Sequence, residues 1–280
     1  MSNEVQVIEQ SQEIQMAKIE IDSQIATARQ YPRDVAMILK SVAMLATIDD
    51  EIASACFYAK PVGTFKKLSI DDKKNAIKEM DSDKIVVGES ARFAEIVFSN
   101  WGNLRIRSFI KSIENGTVTA VCEIHDLQNN TAYSAEAYKS IKTKNGLQSA
   151  NMQEVTKMAA QSVARRNAIL TVIPKGLFHS TLKTIRNKAT GLLENNEEAQ
   201  RAVFLKRLKN TLDFLKSNDI TEDRILFTLG LEKVSEIGAN ELQTLIGFGT
   251  SVKENPQSAI DIFYPDKSQS GLKIEDDKPE

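Results

Sequence analysis

Along residues 5 to 30 apolar side chains recur at loosely helical intervals (Val5, Ile8, Ile14, Met16, Ile19, Ile21, Ile25) among many Gln and Glu. This spacing predicts an amphipathic helical arm suited to self-association. After Pro32 the run Val35, Met37, Ile38, Val42, Leu45, Ile48, Ile52, Cys56 keeps helical spacing and predicts core-facing helix over residues 33 to 58, interrupted near Asp49 and Asp50. Pro61 and Gly63 end that run. Residues 64 to 84, rich in Lys and Asp with weak periodicity, read as a solvated excursion with a short helix. Ser90 then caps a helix whose apolar side carries Phe93, Ile96 and Val97 and which stops at Gly102.

From residue 103 the period changes from helical to twofold. In NLRIRSFIKSI, Leu104, Ile106, Ser108 and Ile110 point one way, while Arg105, Arg107, Phe109 and Lys111 point the other. Asn115-Gly116 is a hairpin signal, since a type I′ turn needs positive φ at both central residues. The return strand carries Val118, Ala120, Cys122 and Ile124 on one side. After a turn over residues 126 to 130, a third strand puts Tyr133, Ala135, Ala137, Lys139 and Ile141 on one face. Lys144-Asn145-Gly146 closes this three-stranded antiparallel meander. A long helix follows over residues 151 to 173 with Val155, Met158, Ala159, Val163, Ile169 and Ile173 as its expected buried stripe, and Pro174 terminates it. Lys157, Gln161 and Arg165, with Arg166 adjacent, give this helix a basic strip.

Residues 187 to 198 are polar, contain Gly191 and supply the expected linker. Amphipathic stretches over residues 202 to 215, 221 to 229 and 240 to 252 then predict a separable three-helix module, with Asp219 or Thr221 and Asn240 as N-caps and Gly230 and Gly238 as stops. The expected fold class is α+β: a meander flanked by helices, a β-β-β-α core, with a small C-terminal all-helical module. The expected divisions are a helical arm (1–30), an α+β core (31–190), a linker (191–196), the three-helix module (197–256) and a disordered, mildly acidic tail (257–280).

Composition narrows the chemistry. A chain of 280 residues with 41% hydrophobic content buries a core of its own. Cys56 and Cys122 lie far apart and form no CxxC pair, which argues against a disulfide framework, a zinc site or a thioredoxin-type site. The N-terminus has no apolar signal-like region and no run of eighteen apolar residues occurs, so the expected location is cytoplasmic, with no membrane span. There is no GxxxxGK[ST] loop, and His125 and His179 stand apart with no HExxH or Cys/His cluster. Asp49-Asp50-Glu51, Asp71-Asp72 and Asp276-Asp277 fall in charged runs that read as solvated surface rather than as magnesium ligands. No catalytic residue, metal or cofactor is expected, and the chain does not read as an enzyme.

The net charge of −2 conceals a basic middle: residues 99 to 190 carry 13 basic and 5 acidic residues (+8) between acidic flanks. Binding single strands without reading sequence calls for cations that follow phosphates and flat side chains that accept bases. The candidate DNA-binding cations are Arg105, Arg107 and Lys111 on the first strand, Lys139, Lys142 and Lys144 near the third, and Lys157, Arg165 and Arg166 on the long helix. They line one groove if that helix packs across the sheet. Trp101, Phe109, Tyr133 and Tyr138 are the stacking candidates, although Trp101 at a helix end and Phe109 on a strand also suit the core. Which sheet face carries DNA stays open at this point.

The order helix, meander, long helix and helical C-terminal module resembles the phage single-strand annealing proteins of the RecT and Redβ type. The wording does too, in CFYAKPVG, GESARFAEIVFSNWGNLRI, AVCEIHDLQNNTAYSAEAYKSIKTKNG and KMAAQSVARRNAILTVIPK, so that the likeness spans about residues 50 to 180. The resemblance implies ATP-independent annealing of complementary strands, assembly into rings or helical filaments, and recruitment of an exonuclease or single-strand-binding protein through the C-terminal module, in a bacterial host cell. Its basic inner groove falls on Arg105, Arg107, Lys157, Arg165 and Arg166. Two other readings compete: an oligomeric phage scaffold without DNA affinity, and a metal-dependent nuclease.

Overall fold

The computed structural model of the chain describes residues 3–80, 83–143, 146–256 and 258–264. It opens with α1 (Asn3–Gln30), a single 28-residue helix. Its last turns rest on the protein through Ile21, Gln24, Ile25 and Ala28, while Ile14, Met16 and Ile19 face solvent. α2 (Val35–Ala46) starts where the Asp34 carboxylate accepts the Met37 amide. The interruption expected near Asp49 is a second start, because Asp49 accepts the amides of Glu51 and Ile52 and caps α3 (Asp50–Ala55).

The helix expected to reach residue 58 ends early. Residues 57 to 61 form β1 (Phe57–Pro61), because Phe57 and Ala59 are buried on one side while Tyr58 and Lys60 face the other. α4 (Ile70–Lys78), capped by Ser69, is the short helix expected in the excursion. β2 (Ile85–Glu89) returns antiparallel to β1 with Tyr58 opposite Gly88. A Cβ on Gly88 would come within 2.7 Å of the Tyr58 ring, so glycine there lets the ring lie against the strand.

α5 (Ala91–Trp101), capped by Ser90, leads through Gly102 into the meander of β3 (Leu104–Glu114), β4 (Thr117–Asp126) and β5 (Thr131–Ser140), in that order across the sheet. The α+β class and the antiparallel three-stranded sheet flanked by helices are as expected. Asn115 and Gly116 both take positive φ at the first hairpin. The register shifts between Ile110 and Ser112, leaving Lys111 as a bulge. Short strands β6 (Lys142–Thr143) and β7 (Gly146–Leu147) close the region, with Lys144 and Asn145 outside the described residues.

α6 (Ala150–Val172) crosses the apolar face of β4 and β5. Its buried stripe keeps Ile169 and Ile173 as expected but departs from expectation at the helix start: Ala160, Ala164 and Ala168 are fully buried at four-residue intervals, while Met158 is 69% exposed and Val155 is also exposed. The strands present Ala120, Ala135 and Ala137 on the same buried face, so small residues on both partners bring the helix axis close to the sheet. α7 (His179–Ala189), whose last three residues fall in the stretch expected to be linker, buries Thr181, Ile185 and Ala189 and packs on α2 and α3.

α8 (Glu197–Ser217), α9 (Glu222–Leu229) and α10 (Ala239–Glu254) follow the three predicted stretches, with Thr221 at the N-cap position of α9. α10 begins at Gly238 with Glu241 bonded back to the Gly238 amide, rather than at Asn240. These helices share one hydrophobic cluster with the meander. α10 lies directly on β1, where a Cβ on Gly247 would sit 2.6 Å from that of Ala59, and the Ser251 hydroxyl donates to the Ala59 carbonyl at 2.7 Å. Arg207 of α8 holds Asp50 of α3 at 2.6 Å. The boundary expected near residue 190 therefore crosses continuous packing. α11 (Ser258–Phe263) occupies the start of the expected tail and stacks Phe263 edge-on against Phe248; residues 265 to 280 lie outside the described residues.

A buried clamp fixes the base of α1. Both Arg33 Nη atoms reach Asp126, at 2.6 and 2.7 Å, the Arg33 amide donates to Gln128, and Asn103 donates to the Tyr31 carbonyl. Burial pushes the Asp126 carboxyl up, but the Arg33 bond and the amides of Asn129 and Gln128 outweigh it and leave it below the ordinary range. Such a group stabilises the fold above the ordinary carboxylate range, and the contribution is lost as pH falls through the lowered value. Asp126→Asn strands a buried guanidinium and is expected to destabilise the protein by about 3–5 kcal/mol at neutral pH, a gap that narrows in acid; urea melts at both pH values measure it. Gly247→Ala should lower the melting temperature in spite of alanine's higher helix propensity, because the new methyl meets Ala59; an unchanged or raised midpoint would show that α10 can lift from β1.

Candidate nucleic-acid interface

The meander sorts its side chains by register into two faces. Arg105, Arg107, Phe109 and Lys111 share the outer face with Glu123, His125, Glu136 and Tyr138, while α6 covers the other face. The sheet therefore stands between Arg105, Arg107 and Lys111 on one side and Lys139, Lys157, Arg165 and Arg166 on the other. The single groove expected to hold all of them does not form, because the long helix packs on the apolar face.

On the outer face the cations are matched by carboxylates. Arg105 lies 3.6 Å from Glu20 of α1 and 3.4 Å from the Gln24 amide oxygen, Lys111 binds Glu136 at 2.8 Å, and Glu123 stands opposite Arg107 in the register. Glu136 also accepts the Tyr138 hydroxyl, and the Arg107 guanidinium sits 5.2 Å from the centre of the half-buried Phe109 ring. An open groove of about 600 Å³ runs between α1 and this face, lined by Ile21, Arg105, Arg107 and His125 among others. Charges so interleaved present little net field to a phosphate chain.

The other candidates are scattered. Trp101 is only 5% exposed, under the Arg33 guanidinium at 5.3 Å from its ring centre, so it belongs to the core and cannot receive a base. Lys142 is exposed with its stem against Gly116, where a Cβ would come within 2.4 Å of it. Lys157 is half-buried and Arg165 exposed on α6, the latter beside α5. Lys144 lies outside the described residues.

Arg166, Lys139 and Tyr133 do converge, on a cleft between the β1–β2 pair and the β5–α6 layer. Arg166, 15% exposed at its side chain, stands 4.9 Å from the centre of the Tyr58 ring, and Lys60 Nζ is 5.7 Å from the same centre. The arrangement fixes a flat ring among cations. Glu254, at the end of α10, accepts the first amide of α5 at 3.0 Å and holds Arg166 at 3.8 Å. Burial lowers the Lys139 ammonium from its ordinary value, Lys60 and Arg166 push it further down, and Glu254 opposes them. Below this cluster a polar pocket of about 330 Å³ is bounded by Tyr58, Glu89, Tyr133, Arg166, Asn167 and Lys175, among others. Lys175 lies 4.0 Å from Glu89, and Arg186, its guanidinium lowered by burial, feels the same carboxylate.

Tyr58, Lys60, Glu89, Asn167, Lys175 and Arg186 were not singled out from the sequence. A signal for the first two existed: Phe57 to Lys60 alternates with period two ahead of Pro61, hidden at the end of a helical run. Cys56 and Cys122 are free, and burial pushes their thiols up to about 12 and about 11, so both stay protonated at neutral pH. Among the described residues no helix is long and apolar enough to cross a membrane. In comparisons with known proteins, no family model, no curated protein and no solved structure matches the chain.

An anion bound beside Lys139 favours its charged form, so oligonucleotide affinity is expected to fall as pH rises through the lowered value, short of lysine's ordinary ~10.4. Lys139→Arg should retain affinity at the alkaline end. A pH series of binding isotherms on both proteins tests this; parallel curves would remove Lys139 from the contact.

Proposed function

We propose that the protein binds single-stranded DNA in the cleft between β1 and the β5–α6 layer and promotes annealing of complementary strands without ATP, as the resemblance to phage annealing proteins implies. The observation that carries the binding is the Tyr58 ring held beside Arg166 and Lys60, with Lys139 and Lys175 on the same cleft. Cations spaced along a groove with an aromatic ring among them suit a phosphate chain whose bases are unstacked. Arg166 carries a planar fork whose Nε and Nη2 donate to the Asn167 amide oxygen and whose Nη1 lies 3.8 Å from Glu254, so a phosphate bound there competes with both contacts.

Annealing needs strands presented side by side, and the proposed reading places several copies on one strand, as a ring or filament. The exposed Ile14, Met16 and Ile19 of α1 suit such a contact. Recruitment of an exonuclease or a single-strand-binding protein falls to the surface of α8, α9 and α10 in the same reading.

The test is fluorescence anisotropy of a labelled single strand over a salt series, followed by addition of its complement without ATP or magnesium. Binding is expected to fall with salt and annealing to be faster than in buffer. Arg166→Ala should weaken all sequences alike and make the log–log slope shallower by about 0.7 for each phosphate that the variant leaves unneutralised. Arg166→Lys guards against a folding defect, and Arg107→Ala on the outer face should leave the slope unchanged. If Arg107→Ala flattens the slope and Arg166→Ala does not, the strand lies on the outer face instead. No binding even at low salt would leave the scaffold reading, carried by the exposed strip of α1, in its place.

A further inference from the structure

Glu89 is out of character with the cations around it. A carboxylate repels phosphate, yet this one ends β2 at the wall of the polar pocket with its side chain 18% exposed. Its cation Lys175 stands 4.0 Å away, at the outer limit of an ion pair. Among the described residues no hydrogen bond is donated to the Glu89 carboxylate, so both oxygens keep their accepting capacity. Across the same pocket, Asn167 has its amide oxygen engaged by Arg166 at 3.3 and 3.1 Å, which leaves its NH₂ free to donate. Tyr133, 43% exposed, supplies a flat surface at the mouth. At ~30 Å³ per water, a pocket of about 330 Å³ has room for about eleven waters, ample for one nucleobase.

Resting on the single-strand reading of the cleft, we infer that this pocket takes one unstacked nucleobase of the bound strand and that Glu89 selects guanine. Guanine alone offers two adjacent N–H donors on its pairing edge, N1–H and the 2-amino group, which match the two oxygens of a carboxylate. Charge-assisted bidentate pairing of this kind is stronger than neutral hydrogen bonding. The neighbouring O6 acceptor falls to the free amide of Asn167. Thymine flanks its single N–H with two carbonyl oxygens that a carboxylate repels, while adenine and cytosine set one amino group beside an acceptor. The cations of the cleft bind any sequence; Glu89 adds a preference at one position.

The test compares an all-thymine strand with strands in which one central thymine is replaced by guanine, inosine, adenine or cytosine, by competition at fixed salt on the full chain. The guanine strand is expected to bind about tenfold more tightly than the all-thymine strand, within the range of one good bidentate base contact. Inosine, which lacks the 2-amino group, should lose most of that advantage on the unaltered protein. Glu89→Gln should abolish the preference while keeping or raising affinity for the all-thymine strand, which also shows that the variant is folded. Equal binding of guanine and thymine strands, or a guanine preference that survives Glu89→Gln, overturns the inference and leaves the single-strand reading standing. Failure of every strand to bind overturns both.

Discussion

The close approach of α6 to the meander is the contact on which the rest of the architecture depends. Ala160, Ala164 and Ala168 meet a face built from Ala120, Ala135 and Ala137, so backbone comes near backbone with little side chain between. That seam makes α6 the floor of the inner layer and turns Arg166, Asn167 and Thr171 toward the edge of β5. It also leaves Met152, Val155 and Met158 without cover at the helix start. Larger residues along the seam would separate the layers and tilt every group the helix carries, since packed interiors transmit such strain.

A second support lies beneath β1. Phe57 and Ala59 look down onto α10, and Gly247 lets that helix touch the strand, which holds Tyr58 and Lys60 facing the cleft. The C-terminal helices thus form part of the wall behind the candidate site. Glu254 extends this relation, joining the end of α10 to α5 and to Arg166 at once.

How far the fold was legible follows from which signals are local. Twofold alternation and the Asn115-Gly116 turn are properties of neighbouring residues, and they located β3, β4 and β5 within a residue or so. Ser90 announces its helix in the same way. β1 escaped because five residues of alternation follow directly on helical spacing, and only the partner strand β2, some thirty residues on, settles the conformation. The stripe of α6 is legible at Ile169 and Ile173 but not at Val155 and Met158, because a helix that crosses a sheet of small residues buries alanine and leaves methionine outside. The candidate site was legible in residue type and not in grouping. Alternation put Arg105 and Arg107 on a face opposite Ile106, but nothing local says that the long helix covers the Ile106 side and so parts these arginines from Arg166. Tyr58, Glu89 and Arg186 meet only through tertiary packing.

The clamp at Arg33 and Asp126 changes what kind of object α1 is. A helix of 28 residues is about 42 Å long at 1.5 Å per residue, so a tilt of about 10° at a held base carries the far end about 7 Å. Because Arg33, Tyr31, Asn103 and Asp126 hold that base, the reach of the helix is set by one angle rather than by the many torsions of a loose tether. A surface that meets it encounters a preorganised lever, whose ordering entropy has already been met within the fold.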